Sequence, residues 1–124
     1  MSRALKRHSE AGKYAAMRVT FHSKYCKEVG TRIYSKWSDN GRVYTVYSYR
    51  DSWPMYCYDH LAGQWYAHTE KYSRSTTLHF RHAQPAPWSE INVVSFESLR
   101  HISHGGVEEW VLAKIMGAIQ HSER

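Results

Sequence analysis

Residues 32–50, RIYSKWSDNGRVYTVYSYR, contain the pattern that decides the fold. Two runs rich in aromatic and β-branched residues flank the tripeptide Asp39-Asn40-Gly41. Asn-Gly between such runs favours a β-hairpin, because both residues tolerate a positive φ angle. In the first run, one face is shared by Ile33, Ser35 and Trp37. Since neither face is purely polar, we expect one face to be covered and the other to form an aromatic platform.

Strand signals continue on both sides of this hairpin. Residues 17–29 begin with apolar residues at alternate positions, which is typical of a half-buried strand. Pro54 cannot donate to a ladder, so a new strand is expected to begin after it. The runs MYCYD and QWYAH flank a turn at residues 60–63 and predict a second hairpin. Together these segments predict a strongly curved antiparallel sheet of about five strands.

The C-terminal third carries the helical signals. Ser75-Thr76-Thr77 predicts a short helix near residues 76–83 that ends before Pro85. Residues 91–94 read as a short strand, and Ser95 is expected to cap a helix that runs to about Ile102. A helical repeat of apolar residues predicts a last helix over residues 107–120. The predicted fold is therefore α+β, with the short helix and the two C-terminal helices packed on one face of the sheet.

Length and charge set the domain organisation. A chain of 124 residues is sufficient for one modest core. We expect residues 1–16 to be a flexible basic N-terminal arm and residues 17–124 to be a single α+β domain. The first 36 residues hold nine Lys and Arg against two acidic residues, whereas the remainder holds eight against nine. This asymmetry favours a polyanion or an acidic partner, and the alternative is a surface that only keeps the protein soluble.

Composition also bears on the compartment. No run of about 18 apolar residues is present, and the N-terminus lacks the apolar segment of a signal peptide. Cys26 and Cys57 fit reduced thiols. We expect a cytoplasmic protein in a host cell that does not enter a membrane and is a monomer or a homodimer.

Several short motifs carry a resemblance to a known kind of domain. These motifs are Val46-Tyr47-Ser48-Tyr49, Trp53-Pro54, Trp65, Lys71-Tyr72-Ser73, Thr76-Thr77, His79 and Pro85. Over roughly residues 42–120 the chain resembles an uncharacterised small domain found in short open reading frames of bacteriophages and other mobile elements. The resemblance implies a mobile-element origin. By analogy with other small phage proteins, it also implies action on host machinery, including inhibition of host defence in the manner of anti-CRISPR proteins.

Residues 71–85, KYSRSTTLHFRHAQP, hold the densest set of functional groups. Cations neutralise phosphates and aromatic rings stack on unpaired bases, so this mixture is typical of nucleic-acid binding. The predicted binding residues are Lys71, Tyr72, Arg74, Arg81, His79, His82, Arg50 and Trp53. Further members could be Arg42, Tyr44, Tyr47 and Tyr49, unless these aromatic residues are core. The predicted function is non-catalytic binding to nucleic acid or to a host nucleoprotein complex, because Tyr, Trp and Arg serve protein partners equally well.

Two alternatives remain open at this level. His79 and His82 could act as the acid and base of a small nuclease that cleaves RNA without metal. A zinc-stabilised interaction module could instead use His79 and His82 with further ligands from Cys26, Cys57, His60 and His68. The chain has neither C-x-x-C nor H-E-x-x-H spacing. We therefore expect no metal and no cofactor.

Overall fold

The computed structural model describes residues 2–23, 33–38, 41–48, 53–70 and 74–106. The strands are β1 (Arg3–Leu5), β2 (Phe21–Ser23), β3 (Ile33–Ser38), β4 (Val43–Ser48), β5 (Pro54–Asp59), β6 (Gln64–Ala67) and β7 (Ile91–Val93). The α-helices are α1 (Ala11–Ala16), α2 (Arg74–Ala83) and α3 (Phe96–His101), and a π-helical turn over Ile102–Gly106 continues α3. Short 3-10 turns cover His8–Glu10 and Trp88–Glu90.

The described strands form one open, mixed sheet. Its spatial order follows the chain from β1 to β7. Strands β2 to β6 are antiparallel, whereas β1 pairs parallel with β2 and β7 pairs parallel with β6. The prediction of a strongly curved antiparallel sheet of about five strands is therefore wrong, although the α+β class holds. The two edge strands have three residues each, which is too short for an alternating pattern to reveal how they pair.

Both predicted hairpins are confirmed. Strands β3 and β4 pair from Ile33 opposite Ser48 to Ser38 opposite Val43. Gly41 has φ of 85°, the left-handed conformation that the Asn-Gly pattern predicts. Strand β5 begins at Pro54 itself, one residue earlier than expected, and joins β6 through a turn in which Gly63 has φ of 65°.

Helices cover both faces of the sheet. One core cluster unites α1 and α2 with Leu5, Phe21, Ile33, Tyr44, Val46, Met55, Tyr56, Trp65, Ala67 and Ile91. On the other face α3 and the π-helical turn contribute Leu99 and Ile102, which pack on Val43, Cys57 and Tyr66. The prediction that the helices share one face is therefore wrong for α2 and α3. The predicted helix over residues 107–120 lies outside the described residues.

The face of the β3–β4 hairpin that carries Tyr34 and Tyr47 is not an open aromatic platform. On the face opposite Tyr44, the rings of Tyr34 and Tyr47 stack with centroids 5.1 Å apart. Both rings are buried, with 7% and 1% of their surface exposed. Lys36 places its Nζ 5.4 Å from the centroid of the Tyr47 ring. The expected platform is thus packed inside the molecule.

The N-terminal segment is part of the folded unit, which differs from the prediction of a flexible arm over residues 1–16. Leu5 in β1 and Ala11 and Ala15 in α1 are buried in the first core cluster. Gly12 lets α1 approach α2 closely, because a Cβ atom there would lie 2.9 Å from the backbone oxygens of His82 and Gln84. A basic segment is thereby fixed against α2.

The predicted helix signals after residue 74 are confirmed where the structure describes them. The Oγ atom of Ser95 accepts a hydrogen bond from the Ser98 backbone N–H at 3.1 Å and so caps α3. Helix α2 ends at Ala83, before Pro85. It begins at Arg74, earlier than Ser75-Thr76-Thr77 indicated. Across the described ranges, no helix is long and apolar enough to cross a membrane.

Candidate nucleic-acid interface

The structure locates only part of the predicted binding set. Lys71, Tyr72 and Arg50 lie outside the described residues. Arg74 begins α2, but its side chain is also outside the description. Arg81 lies on α2 and is exposed. The predicted edge formed by Lys71, Arg74 and Arg81 therefore stays a prediction.

Trp53 is a packing residue. Its ring centroid lies 4.4 Å from that of Phe96 in α3 and 5.8 Å from that of His68. The side chain is half-buried. Because Arg81 belongs to the helical layer on the opposite face, the structure does not support Trp53 as its aromatic anchor.

His79 and His82 do not form an accessible pair. His79 is 3% exposed, and its Nδ1 lies 2.7 Å from the hydroxyl of Ser48 in β4. The hydrogen bond ties α2 to the sheet. His82 is half-buried one turn further along α2. Acid–base cleavage needs both imidazoles at one phosphate, and the burial of His79 argues against that use.

His68 is a second buried histidine with a structural role. Its Nε2 donates to the carbonyl of Pro54 at 2.9 Å, and its Nδ1 accepts from the backbone N–H of Glu70 at 3.1 Å. Both ring nitrogens are satisfied in the neutral form, and burial lowers the pKa of the imidazole. The ring packs edge-on to Phe80 of α2 and Phe96 of α3. His68 thereby links the two helical layers at the end of β6.

The described residues do not assemble the hypothetical zinc site. Within them, no group of three or more His, Cys, Asp or Glu side chains is placed to hold a metal ion. Cys57 is fully buried under α3, and burial raises the pKa of its thiol to about 12. Metal ligation requires the thiolate, so this environment disfavours it. Cys26 lies outside the described residues.

A set of exposed cations surrounds α1 and α2. We call it the basic layer, and its members are Arg3, Lys6, Arg7, Lys13 and Arg81. The 3-10 turn at residues 8–10 and α1 both pack on α2, which joins the N-terminal cations to the helix that carries Arg81. Glu10 is the acidic residue within residues 2–23. Its Oε1 accepts the backbone N–H groups of Lys6 and Arg7 at 3.0 and 2.9 Å, so this carboxylate holds the turn together.

On the sheet face that α1 and α2 cover, four aromatic residues form a row across four strands. The register places Trp37 opposite Tyr44, Tyr44 opposite Tyr58, and Tyr58 opposite Trp65. Tyr44 is fully buried and Trp65 is 7% exposed, whereas Trp37 and Tyr58 are half-buried. Along β5, the row lies two residues beyond Tyr56, which contacts Phe80 of α2.

His60 and Arg18 complete this end of the sheet. The exposed His60 ring lies 5.9 Å from Trp37 and 6.5 Å from Tyr58, between centroids. We call Trp37, Tyr58 and His60 the ring cluster. The Cζ atom of Arg18 lies 4.7 Å from the centroid of the Tyr58 ring. The residue reaches this position because it follows α1 with φ of 54°.

The binding residues predicted from the sequence include other residues of the same hairpins. Tyr44 and Tyr47 are buried, at 0% and 1% exposure. Arg42 forms a bidentate ion pair with the buried Asp59, at 3.2 and 3.5 Å. Tyr49 lies outside the described residues. The register of the two hairpins was the signal that could have identified the row, since Trp37, Tyr44, Tyr58 and Trp65 align once both turns are placed.

Comparisons with protein-family models, with curated proteins and with solved structures returned no match to this chain.

Proposed function

We propose that the protein binds nucleic acid and that the basic layer contacts the phosphates. The observation that carries the proposal is the docking of the N-terminal segment on α2, which brings four exposed cations of that segment to the helix that carries Arg81. A flexible arm would have to order itself on its ligand, whereas this surface exists beforehand. Preorganised cations suit the phosphate backbone, which dominates the affinity of most nucleic-acid complexes.

The proposal makes a quantitative statement about salt. Each phosphate neutralised contributes a slope of about −0.7 to −0.9 to a plot of log affinity against log salt. If all five cations make such contacts, the slope is on the order of −4. A protein partner recognised through aromatic and arginine side chains would show a shallower dependence on salt.

A charge-neutralised variant tests the assignment of the surface. We expect Lys6→Gln/Lys13→Gln/Arg81→Gln to reduce the magnitude of the slope by roughly 2–3, because three contacts are lost. The matched control is Lys36→Gln/Arg100→Gln, whose exposed cations belong to the opposite face. Fluorescence anisotropy with labelled single-stranded and duplex oligonucleotides measures both slopes. Equal slopes for the two variants, or no binding by the wild-type protein, would contradict the proposal.

The resemblance to small phage and mobile-element domains extends this proposal to a biological role. We propose that the surface engages a nucleic-acid-handling complex of the host and inhibits a defence system, as anti-CRISPR proteins do. The test is the transformation efficiency of a CRISPR-targeted plasmid in cells that express the protein. We expect efficiency to rise with the wild-type chain and to stay low with the charge-neutralised variant. Equal efficiency with both chains would contradict this role.

A further inference from the structure

The ring cluster is a group of three partly accessible rings at one end of the sheet. Its rings come from three places in the chain, namely the end of β3, the end of β5 and the turn that follows β5. His60 is close to both other rings, so the three side chains converge on one spot. Trp37 and Tyr58 keep part of their surface open to solvent, and His60 is exposed. The neighbouring rings of Tyr44 and Trp65 are buried and support the cluster from within the sheet.

Arg18 adds a planar cation to the rings. Its guanidinium lies over Tyr58, and one of its N–H groups donates to the carbonyl of Ala16 at 2.5 Å. Two further contacts fix the connecting segment, since the Tyr44 hydroxyl donates to the carbonyl of Val19 at 2.7 Å and the Arg3 N–H donates to Thr20 at 2.8 Å. Arg18 is therefore held in place by the segment that also carries Arg3, Lys6, Arg7 and Lys13 of the basic layer.

This combination suits an unpaired nucleobase. A base offers flat π faces that stack on aromatic side chains and on arginine guanidinium planes. An imidazole at the rim offers ring nitrogens to the edge of the base. In a duplex these base faces are stacked on each other and cannot reach a protein ring. A stacking site therefore favours single strands over duplexes.

We infer that Trp37, Tyr58, His60 and Arg18 form a stacking site for an unpaired base, and that the ligand of the basic layer is single-stranded nucleic acid. This inference rests on the proposed function and specifies its ligand. The phosphates contact the basic layer, and a base of the same strand stacks at the ring cluster. Affinity then depends on the bases as well as on the phosphates.

An oligonucleotide without bases separates the two contributions. We compare a short oligothymidylate with an abasic oligomer of equal length and with a duplex, by fluorescence anisotropy at one salt concentration. Stacking of one base on an aromatic side chain corresponds to roughly a 5- to 150-fold gain in affinity. We expect the wild-type protein to prefer oligothymidylate over both other ligands by about this factor.

Matched variants locate the preference. Tyr58→Leu and Trp37→Leu keep an apolar side chain but remove the flat ring, and each should abolish most of the preference without changing affinity for the abasic oligomer. Arg18→Gly is a second kind of variant, because glycine suits the positive φ at this position and we expect the fold to be retained. It should also reduce the preference. Trp88→Leu is the control, since Trp88 is 42% exposed and lies beside Tyr56 rather than in the ring cluster.

The outcomes distinguish this inference from the proposed function. If oligothymidylate and the abasic oligomer bind equally and binding still falls steeply with salt, the stacking site is wrong and the basic layer stands. The same conclusion follows if the preference survives in Tyr58→Leu, Trp37→Leu and Arg18→Gly. If none of the three ligands binds, both the proposed function and the stacking site are wrong.

Discussion

Tyr56 and Tyr58 lie two residues apart on the same face of β5, yet their surroundings differ. Tyr56 is fully buried, and its hydroxyl donates to the Phe80 carbonyl of α2 at 2.8 Å. Burial raises the pKa of this phenol far above its ordinary value. Tyr58 is half-buried and faces the guanidinium of Arg18. Whether a tyrosine of β5 is buried or stays accessible therefore depends on whether a helix packs over it, and not on the residue type.

The largest expected difference between the two tyrosines is in stability. Replacing Tyr56 by Ala removes a buried ring and leaves a cavity, so we expect the free energy of unfolding to fall by about 3–5 kcal/mol. Tyr58→Ala should cost less than half as much, because the ring is already partly hydrated. Urea denaturation followed by circular dichroism measures both values. Equal losses of unfolding free energy would mean that Tyr56 and Tyr58 are equally well covered by the helices.

A substitution at Gly12 tests how closely α1 packs on α2, the helix that covers Tyr56. In an isolated helix, Gly to Ala stabilises by about 0.5–1 kcal/mol. Here the new Cβ would lie 2.9 Å from two backbone oxygens of the segment that ends α2. We therefore expect Gly12→Ala to destabilise by about 1–3 kcal/mol. Ala16→Gly, at an exposed position of the same helix, reports the propensity term alone. An increase in stability for Gly12→Ala would contradict the close packing.

A smaller effect should appear in the pH dependence of stability. Burial lowers the pKa of His68 in the folded protein below its ordinary value of 6.5. The unfolded chain then takes up a proton near pH 6.5 while the folded protein resists it, so the free energy of unfolding falls as the pH drops below about 6.5. His68→Gln should weaken this dependence while lowering stability at neutral pH. Thermal unfolding between pH 5 and pH 8 measures it, and an unchanged slope in the variant would exclude His68 as a source.

The sequence predicted the central hairpins because their signals are local. Asn-Gly at residues 40–41 and the alternation on both sides need no information from elsewhere in the chain. The Ser95 cap and the end of α2 before Pro85 are local signals of the same kind. Each depends on a few neighbouring residues, and each appears in the structure.

The candidate site could not be predicted from local signals, because contacts between distant parts of the chain bring its residues together. The alternation at Met17, Val19 and Phe21 predicted a strand, but α1 occupies the preceding residues and β2 begins only at Phe21. The position of Arg18 over Tyr58 follows from that helix, so no local pattern indicated it. Likewise, nothing near His79 in the sequence shows that Ser48 lies against it. Density of functional groups along the chain therefore selected His79, which the fold buries, together with Arg81, which it leaves exposed.

The most direct test of the account is photocrosslinking to a single strand that contains 4-thiothymidine, followed by sequencing of the crosslinked peptides. We predict crosslinks to the residues of the ring cluster, Trp37, Tyr58 or His60. We also predict that Tyr56, which α2 covers, acquires no crosslink. Crosslinks confined to the α3 layer, or the absence of any crosslink to the ring cluster under conditions where the strand is bound, would contradict it.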